Sequence, residues 1–114
     1  MATVSSHILD SVSGRSAQGI RCQLNHVDNE QYRTVIFDIV ADDEGRIAET
    51  VVTPDTSGEY ELIFYAAEYF AEQGLAASST VKKVVIQFDM NELDKRYHLP
   101  IMLAPHSYST WWSE

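Results

Sequence analysis

The stretch IRCQLNHV, residues 20–27, alternates in character: Ile20, Cys22 and Leu24 fall on one side of an extended chain, Arg21, Gln23 and Asn25 on the other. A period of two commits the segment to a half-buried β-strand. Turn-forming residues recur about every 10 residues along the rest of the chain, the spacing of a sandwich or barrel. TVSSHILD reads as a first strand, separated from IRCQLNHV by the small and glycine residues of SVSGRSAQG. YRTVIFDIV and IAETVV flank the tight turn ADDEGR, where Gly45 is free to take positive φ, and are read as a hairpin. EYELIFYA is apolar on both faces and is expected at the centre of a sheet. AAEYFAEQG is the one helix candidate, rich in alanine and glutamate, with Gly74 at the C-terminal cap position. In TVKKVVIQFDM, Val84, Ile86, Phe88 and Met90 share a face, and YHLPIML and SYSTWW bring the count to about eight strands. The expected fold is mainly β: a sandwich of two antiparallel sheets, with one short helix at its edge.

The chain has 114 residues, 45% of them hydrophobic, which suits a single domain spanning 1–114 with a real core. Seventeen acidic against 8 basic residues give a net charge of -9, so nucleic acid and anionic membrane surfaces are not expected partners. No apolar run approaches the ~18 residues of a membrane-spanning helix. Cys22 has no second cysteine to pair with, and MATVSSHILD lacks the basic start and apolar run of a secretory signal, so a reducing, cytoplasmic location is expected. Glycine-rich phosphate loops, GxSxG, HExxH and paired CxxC are all missing, which argues against phosphate-nucleotide and thiol chemistry.

Residues able to do chemistry are few. In YHLPIML, alternation puts Tyr97, Leu99, Ile101 and Leu103 on one face and His98, Pro100 and Met102 on the other, so an imidazole is expected on a surface suited to a ligand channel or a second protein. His7 lies mid-strand in SSHILD on the parity opposite Ile8, and Arg46 follows the glycine of the tight turn. His26 and His106 are less well placed. Taken singly, each has an ordinary explanation: a histidine bonded to a backbone carbonyl, a surface residue, a solvated arginine. The ending WWSE is too aromatic for a disordered tail and is expected to be ordered against something.

Two segments, HILDSVSGRSAQGIRCQL at 7–24 and YHLPIMLAPHSYST at 97–110, together with the intervening DDEGRI, SGEYELIFYAAEYF and KVVIQFDMNELDKRYHLP, resemble the transthyretin-like family, and within it the 5-hydroxyisourate hydrolases of urate breakdown. The resemblance covers essentially the whole chain. It implies a transthyretin-like sandwich and a cofactor-free, metal-free hydrolase that opens a cyclic amide, with a small heterocycle as substrate. Catalytic positions fall on His7, Arg46 and His98. A homotetramer, a dimer of dimers with its sites in a channel, is implied as well. The family's C-terminal Tyr-Arg-Gly-Ser is replaced by Trp111, Trp112, Ser113 and Glu114, which the resemblance places at the substrate, and Ser16, Ala104 and His106 are smaller departures.

Ring opening needs a base for water, an acid for the departing nitrogen and a positive group near the developing oxyanion, and two histidines with an arginine supply all three. Which histidine is the base is open at this level. Arg46 is expected to help hold an imidazole neutral. Trp112 in place of an arginine exchanges a fork of donors for a broad π surface, so a more aromatic heterocycle, or binding without catalysis in a transport-type protein, are the alternatives.

Overall fold

Alternation sets the first strand, and the strand in turn organises the sheet around it. In β1 (Ala2–Asp10) Val4, Ser6, Ile8 and Asp10 are all buried, whereas Thr3, His7 and Leu9 on the opposite face are only half-buried. The computed structural model describes residues 1–75 and 80–113, and the remaining elements follow in order. They are β2 (Arg15–Ser16), β3 (Arg21–Val27), β4 (Arg33–Val40), β5 (Arg46–Val51), β6 (Glu59–Phe64), α1 (Ala66–Glu72), β7 (Val84–Phe88), β8 (Arg96–His98), β9 (Ile101–Ala104) and β10 (Ser107–Thr110).

The described residues thus form ten strands in two sheets with one short helix, the mainly β architecture expected from the sequence. The count exceeds about eight for two reasons. Arg15–Ser16 makes a two-residue strand, and YHLPIML is split at Leu99–Pro100, where proline has no N–H to give to a ladder. Pro100 is buried, so it does not share the open face with His98 and Met102 as the simple alternation predicts.

One sheet has the order β4-β3-β6-β7, which puts EYELIF in the interior of the sheet. The other is built on β1. β5 and then β2 pair along one edge of β1, and β8 and then β9 along the other, with β10 beyond β9. The sheets are not wholly antiparallel: β8 and β9 run parallel to β1. The chain reaches them by crossing from β7 in the opposite sheet, so no tight hairpin dictates their direction. Leu24, Leu62 and Phe64 of one sheet and Val4, Ile8, Ile101 and Leu103 of the other form the core between them.

The expected hairpin between YRTVIFDIV and IAETVV does not form. β4 pairs with β3, while β5 pairs with β1 in the other sheet. The turn itself is as tight as expected: Gly45 has φ 72°, and the Asp42 carboxylate accepts the N–H groups of Glu44 and Arg46 at 2.9 Å. The N–H of Ile8 then donates to the Gly45 carbonyl at 2.8 Å. A Cβ at Gly45 would lie 2.6 Å from the Ile8 carbonyl oxygen, so the missing side chain lets the turn lie against β1 and become a corner between sheets.

α1 ends as its sequence suggests. The N–H of Gly74, at φ 79°, donates to the Ala71 carbonyl and that of Leu75 to the Phe70 carbonyl, the paired bonds of a glycine-terminated helix. Tyr69 of the helix reaches back to β1, where its Oη donates to Asp10 Oδ2 at 2.8 Å. Among the described residues no helix is long and apolar enough to cross a membrane.

Candidate active site

Because β5 pairs with β1 rather than β4, Arg46 comes to lie directly opposite His7. On β1's other flank, His98 of β8 lies opposite Ser5. Ser5 and His7 are two residues apart on one strand and therefore face the same way, away from the other sheet. Cross-strand partners share a face, with Cβ atoms about 5 Å apart, so His7, Arg46 and His98 converge on the outer face of the β1 sheet.

The imidazole of His98 is held in place. Its Nδ1 lies 2.8 Å from Ser5 Oγ, and Ser5 Oγ also accepts a hydrogen bond from Arg96 Nε at 3.1 Å. These two side chains cover Ser5, which is 1% exposed although it lies on the outer face. Next to it, Ser6 Oγ donates to the Leu99 carbonyl at 2.6 Å and ties β1 to the break between β8 and β9. Burial, and then the charges of Arg96, Arg46 and His7, hold the His98 imidazole below its usual pKa of 6.5, which favours the neutral ring. Arg46 was expected to act in this direction, and Arg96, which the sequence reading missed, acts more strongly.

Arg46 is less constrained. Its guanidinium is exposed and lies 3.9 Å from the Glu44 carboxylate, a contact that an incoming ligand can replace. A cavity of about 430 Å³ opens beside His98, and Phe88, Glu92, Arg96, Tyr97 and Trp112 are among its walls. Ser113 lines it too, whereas His7, Arg46 and Trp111 do not. Trp111 and Trp112 are both exposed, at 46% and 60%, and Glu114 lies outside the described residues.

The other histidines have structural surroundings. His26 is buried, its Nε2 is 2.7 Å from the Ser57 carbonyl oxygen, and its ring packs edge-on to Tyr60. His106 is exposed in the turn before β10. Among the described residues no three histidine, cysteine or carboxylate side chains converge to hold a metal ion. Ser5 and Arg96 went unnoticed in the sequence, yet a signal was there: each lies two residues before a candidate histidine, on the same face of the same strand.

Residues 4–112 match the model of the HIUase/Transthyretin family. The chain belongs to that family. Among relatives in the HIUase/Transthyretin family, the 5-hydroxyisourate hydrolase of Caulobacter vibrioides is 33% identical over 114 residues, covering 97% of each chain. The solved structure of Klebsiella pneumoniae 5-hydroxyisourate hydrolase is 30% identical over the full length of both chains and superimposes with a TM-score of 0.81. Sea bream transthyretin, solved in complex with thyroxine, shares the fold at 24% identity, with 96% of this chain and 93% of that one aligned and a TM-score of 0.80.

Proposed function

We propose that this chain is a cofactor-independent hydrolase that opens the cyclic amide ring of 5-hydroxyisourate, a step of urate breakdown. The observation that carries the reading is the convergence of His7, Arg46 and His98 on one sheet face in a chain whose full-length relatives are 5-hydroxyisourate hydrolases. In this reading Arg46 clamps substrate carbonyl oxygens and offsets the charge that develops as water adds. The two imidazoles carry and position the protons. Trp112 and Ser113, in the wall of the cavity beside His98, contact the substrate, with Trp111 and Glu114 completing the terminal segment.

The working unit is proposed to be a homotetramer of single-domain subunits, a dimer of dimers, in the cytoplasm. Supporting this, the candidate residues lie on an outer sheet face rather than in an enclosed cleft, Met102 lies opposite Leu9 on that face, and Met102, Trp111 and Trp112 are exposed apolar side chains. A second copy laid over that face would exclude water from the site.

A related reading is favoured by one side chain. Trp112 presents an indole to the cavity that His98 lines, a surface suited to a flatter, more aromatic heterocycle than 5-hydroxyisourate. Turnover of freshly generated 5-hydroxyisourate, followed by its ultraviolet decay, decides between them. Decay well above the spontaneous rate that is lost in His98→Ala supports the hydrolase. Absence of wild-type turnover, with activity gained in Trp112→Arg, would point to the other heterocycle, and absence from both to a binding protein.

A further inference from the structure

The chain Arg96–Ser5–His98 carries information about protons that the positions of the catalytic candidates alone do not. Arg96 Nε–H can only donate, so at 3.1 Å it makes Ser5 Oγ an acceptor. The Ser5 hydroxyl has one hydrogen of its own to place, and Ser5 is buried at 1% exposure, away from water that would take it. Among the described residues the one acceptor in reach is His98 Nδ1, at 2.8 Å. Were Nδ1 protonated instead, Ser5 Oγ would receive two donors and its own hydrogen would be stranded in a buried site, an unmade hydrogen bond that disfavours the arrangement by about tenfold or more. Nδ1 therefore accepts, and the hydrogen of the neutral ring sits on Nε2, the ring nitrogen that Ser5 leaves for a ligand.

We propose that Ser5 and Arg96 are positioning residues that fix His98 as its Nε2–H tautomer, making His98 a hydrogen-bond donor to the reacting carbonyl and His7 the proton carrier. The assignment of roles rests on the hydrolase reading above; the tautomer does not. A neutral imidazole with its proton on Nε2 cannot take a proton from water there, and giving that proton away would leave an imidazolate. It can hold a hydrogen bond to the carbonyl oxygen as that oxygen becomes negative. Proton transfer then falls to His7. As the water oxygen bonds to the ring carbonyl carbon, one water proton passes to His7; as the C–N bond breaks, His7 returns that proton to the departing nitrogen. His7 ends neutral, and the products are a carboxylic acid, which ionises to solvent, and an N–H. Arg96, Arg46 and His7 disfavour a second proton on the His98 ring, and Asp89, Glu92 and Lys95 are the other charged side chains lining the cavity beside it.

The test is long-range ¹⁵N–¹H correlation of the histidine rings in the uniformly labelled full-length protein at pH 8, with the His98 signals assigned by their loss in His98→Gln. The wild type should show Nε2–H over Nδ1–H by about ten to one or more, and Ser5→Ala should move the ratio toward the mixture of a free imidazole. A wild-type Nδ1–H ring, or a ratio unmoved by Ser5→Ala, would overturn the relay. In turnover, Ser5→Ala should lower kcat by about tenfold with KM little changed, and Ser5→Thr, which keeps the hydroxyl, should restore it. If the wild type fails to turn over 5-hydroxyisourate, the hydrolase reading and the division of roles fall, and the tautomer measurement still decides the relay.

Discussion

His7 and Arg46 stand directly opposite each other on the antiparallel strands β1 and β5. The two are 39 positions apart in sequence and meet because the turn at Asp42–Gly45 carries the chain from one sheet to the other. In the proposed hydrolase, this pair would offer the substrate a proton acceptor with a positive charge next to it. Replacing His7 with alanine should lower kcat for 5-hydroxyisourate by about 10²–10⁴. Since His7 is only half-buried, the thermal midpoint should barely move. Steady-state kinetics and a melting curve on one preparation check both, and a large fall in stability with intact kcat would remove His7 from the chemistry.

The His98 imidazole should titrate below the ordinary histidine value of 6.5 in the folded protein, because burial and the neighbouring Arg96, Arg46 and His7 oppose its proton. The unfolded chain binds that proton more readily. Folding stability should therefore fall as pH drops from 6.5 through the folded-state pKa of His98, with the loss complete below it. NMR titration of His98 reads the first statement, and denaturant unfolding between pH 7 and 5 the second, with His98→Gln expected to flatten the slope. A titration at or above 6.5 would contradict the prediction.

Tyr69 and Asp10 hold α1 to the end of β1. Burial pushes the Asp10 carboxyl up, yet bonds from the backbone N–H of Ser13, from Tyr69 Oη and from the Val12 N–H more than compensate and hold it below 3.8. Burial and the same carboxylate push the Tyr69 hydroxyl up to about 12. Tyr69→Phe leaves Asp10 Oδ2 without this donor and should cost about 1–3 kcal/mol at pH 7 in urea unfolding. Asp10's contribution to stability is present above pH 3.8 and lost as pH falls through its folded-state pKa. In Tyr69→Phe that pKa rises, so acid unfolding should begin at higher pH; an unchanged acid transition would mean that Ser13 and Val12 suffice.

Gly45 and Gly74 have nearly the same positive φ, 72° and 79°, but different surroundings. A Cβ at Gly74 meets nothing within 4 Å, whereas at Gly45 it would lie 2.6 Å from the Ile8 carbonyl oxygen and 2.8 Å from Ser16 Cβ. Both alanine variants carry the cost of a left-handed residue, about 1 kcal/mol. Gly45→Ala must also push the turn off β1, so it should be the more destabilised of the two and should lose activity as Arg46 leaves its place opposite His7. Parallel unfolding and turnover measurements check this, and equal effects in the two variants would show that the corner yields without strain.

Local patterns were legible in the sequence because they depend on near neighbours. The period of two in IRCQLNHV, the turn chemistry of ADDEGR and the glycine-ended run AAEYFAEQG each specify a conformation within a few residues, and each appears as β3, the tight turn before β5 and α1. The split of YHLPIML was also written there, in Pro100, though strict alternation hid it. The sequence marked His7, Arg46 and His98 by residue type and, through family resemblance, by position, but Ser5 and Arg96 only by their spacing from the histidines.

By itself, then, the sequence determined most of the strand segments, the helix and which residue types could do chemistry. The tertiary structure alone decided which strand each strand would pair with. After the turn at Gly45, the chain could satisfy its hydrogen bonds against β4 or against β1, and both choices suit the same local pattern. Packing two sheets around one core selected β1, because there Ile47 and Val51 are buried while Arg46 stays exposed. That non-local choice, together with the parallel return of β8, set His7, Arg46 and His98 on one face and put Arg96 and Ser5 behind the imidazole.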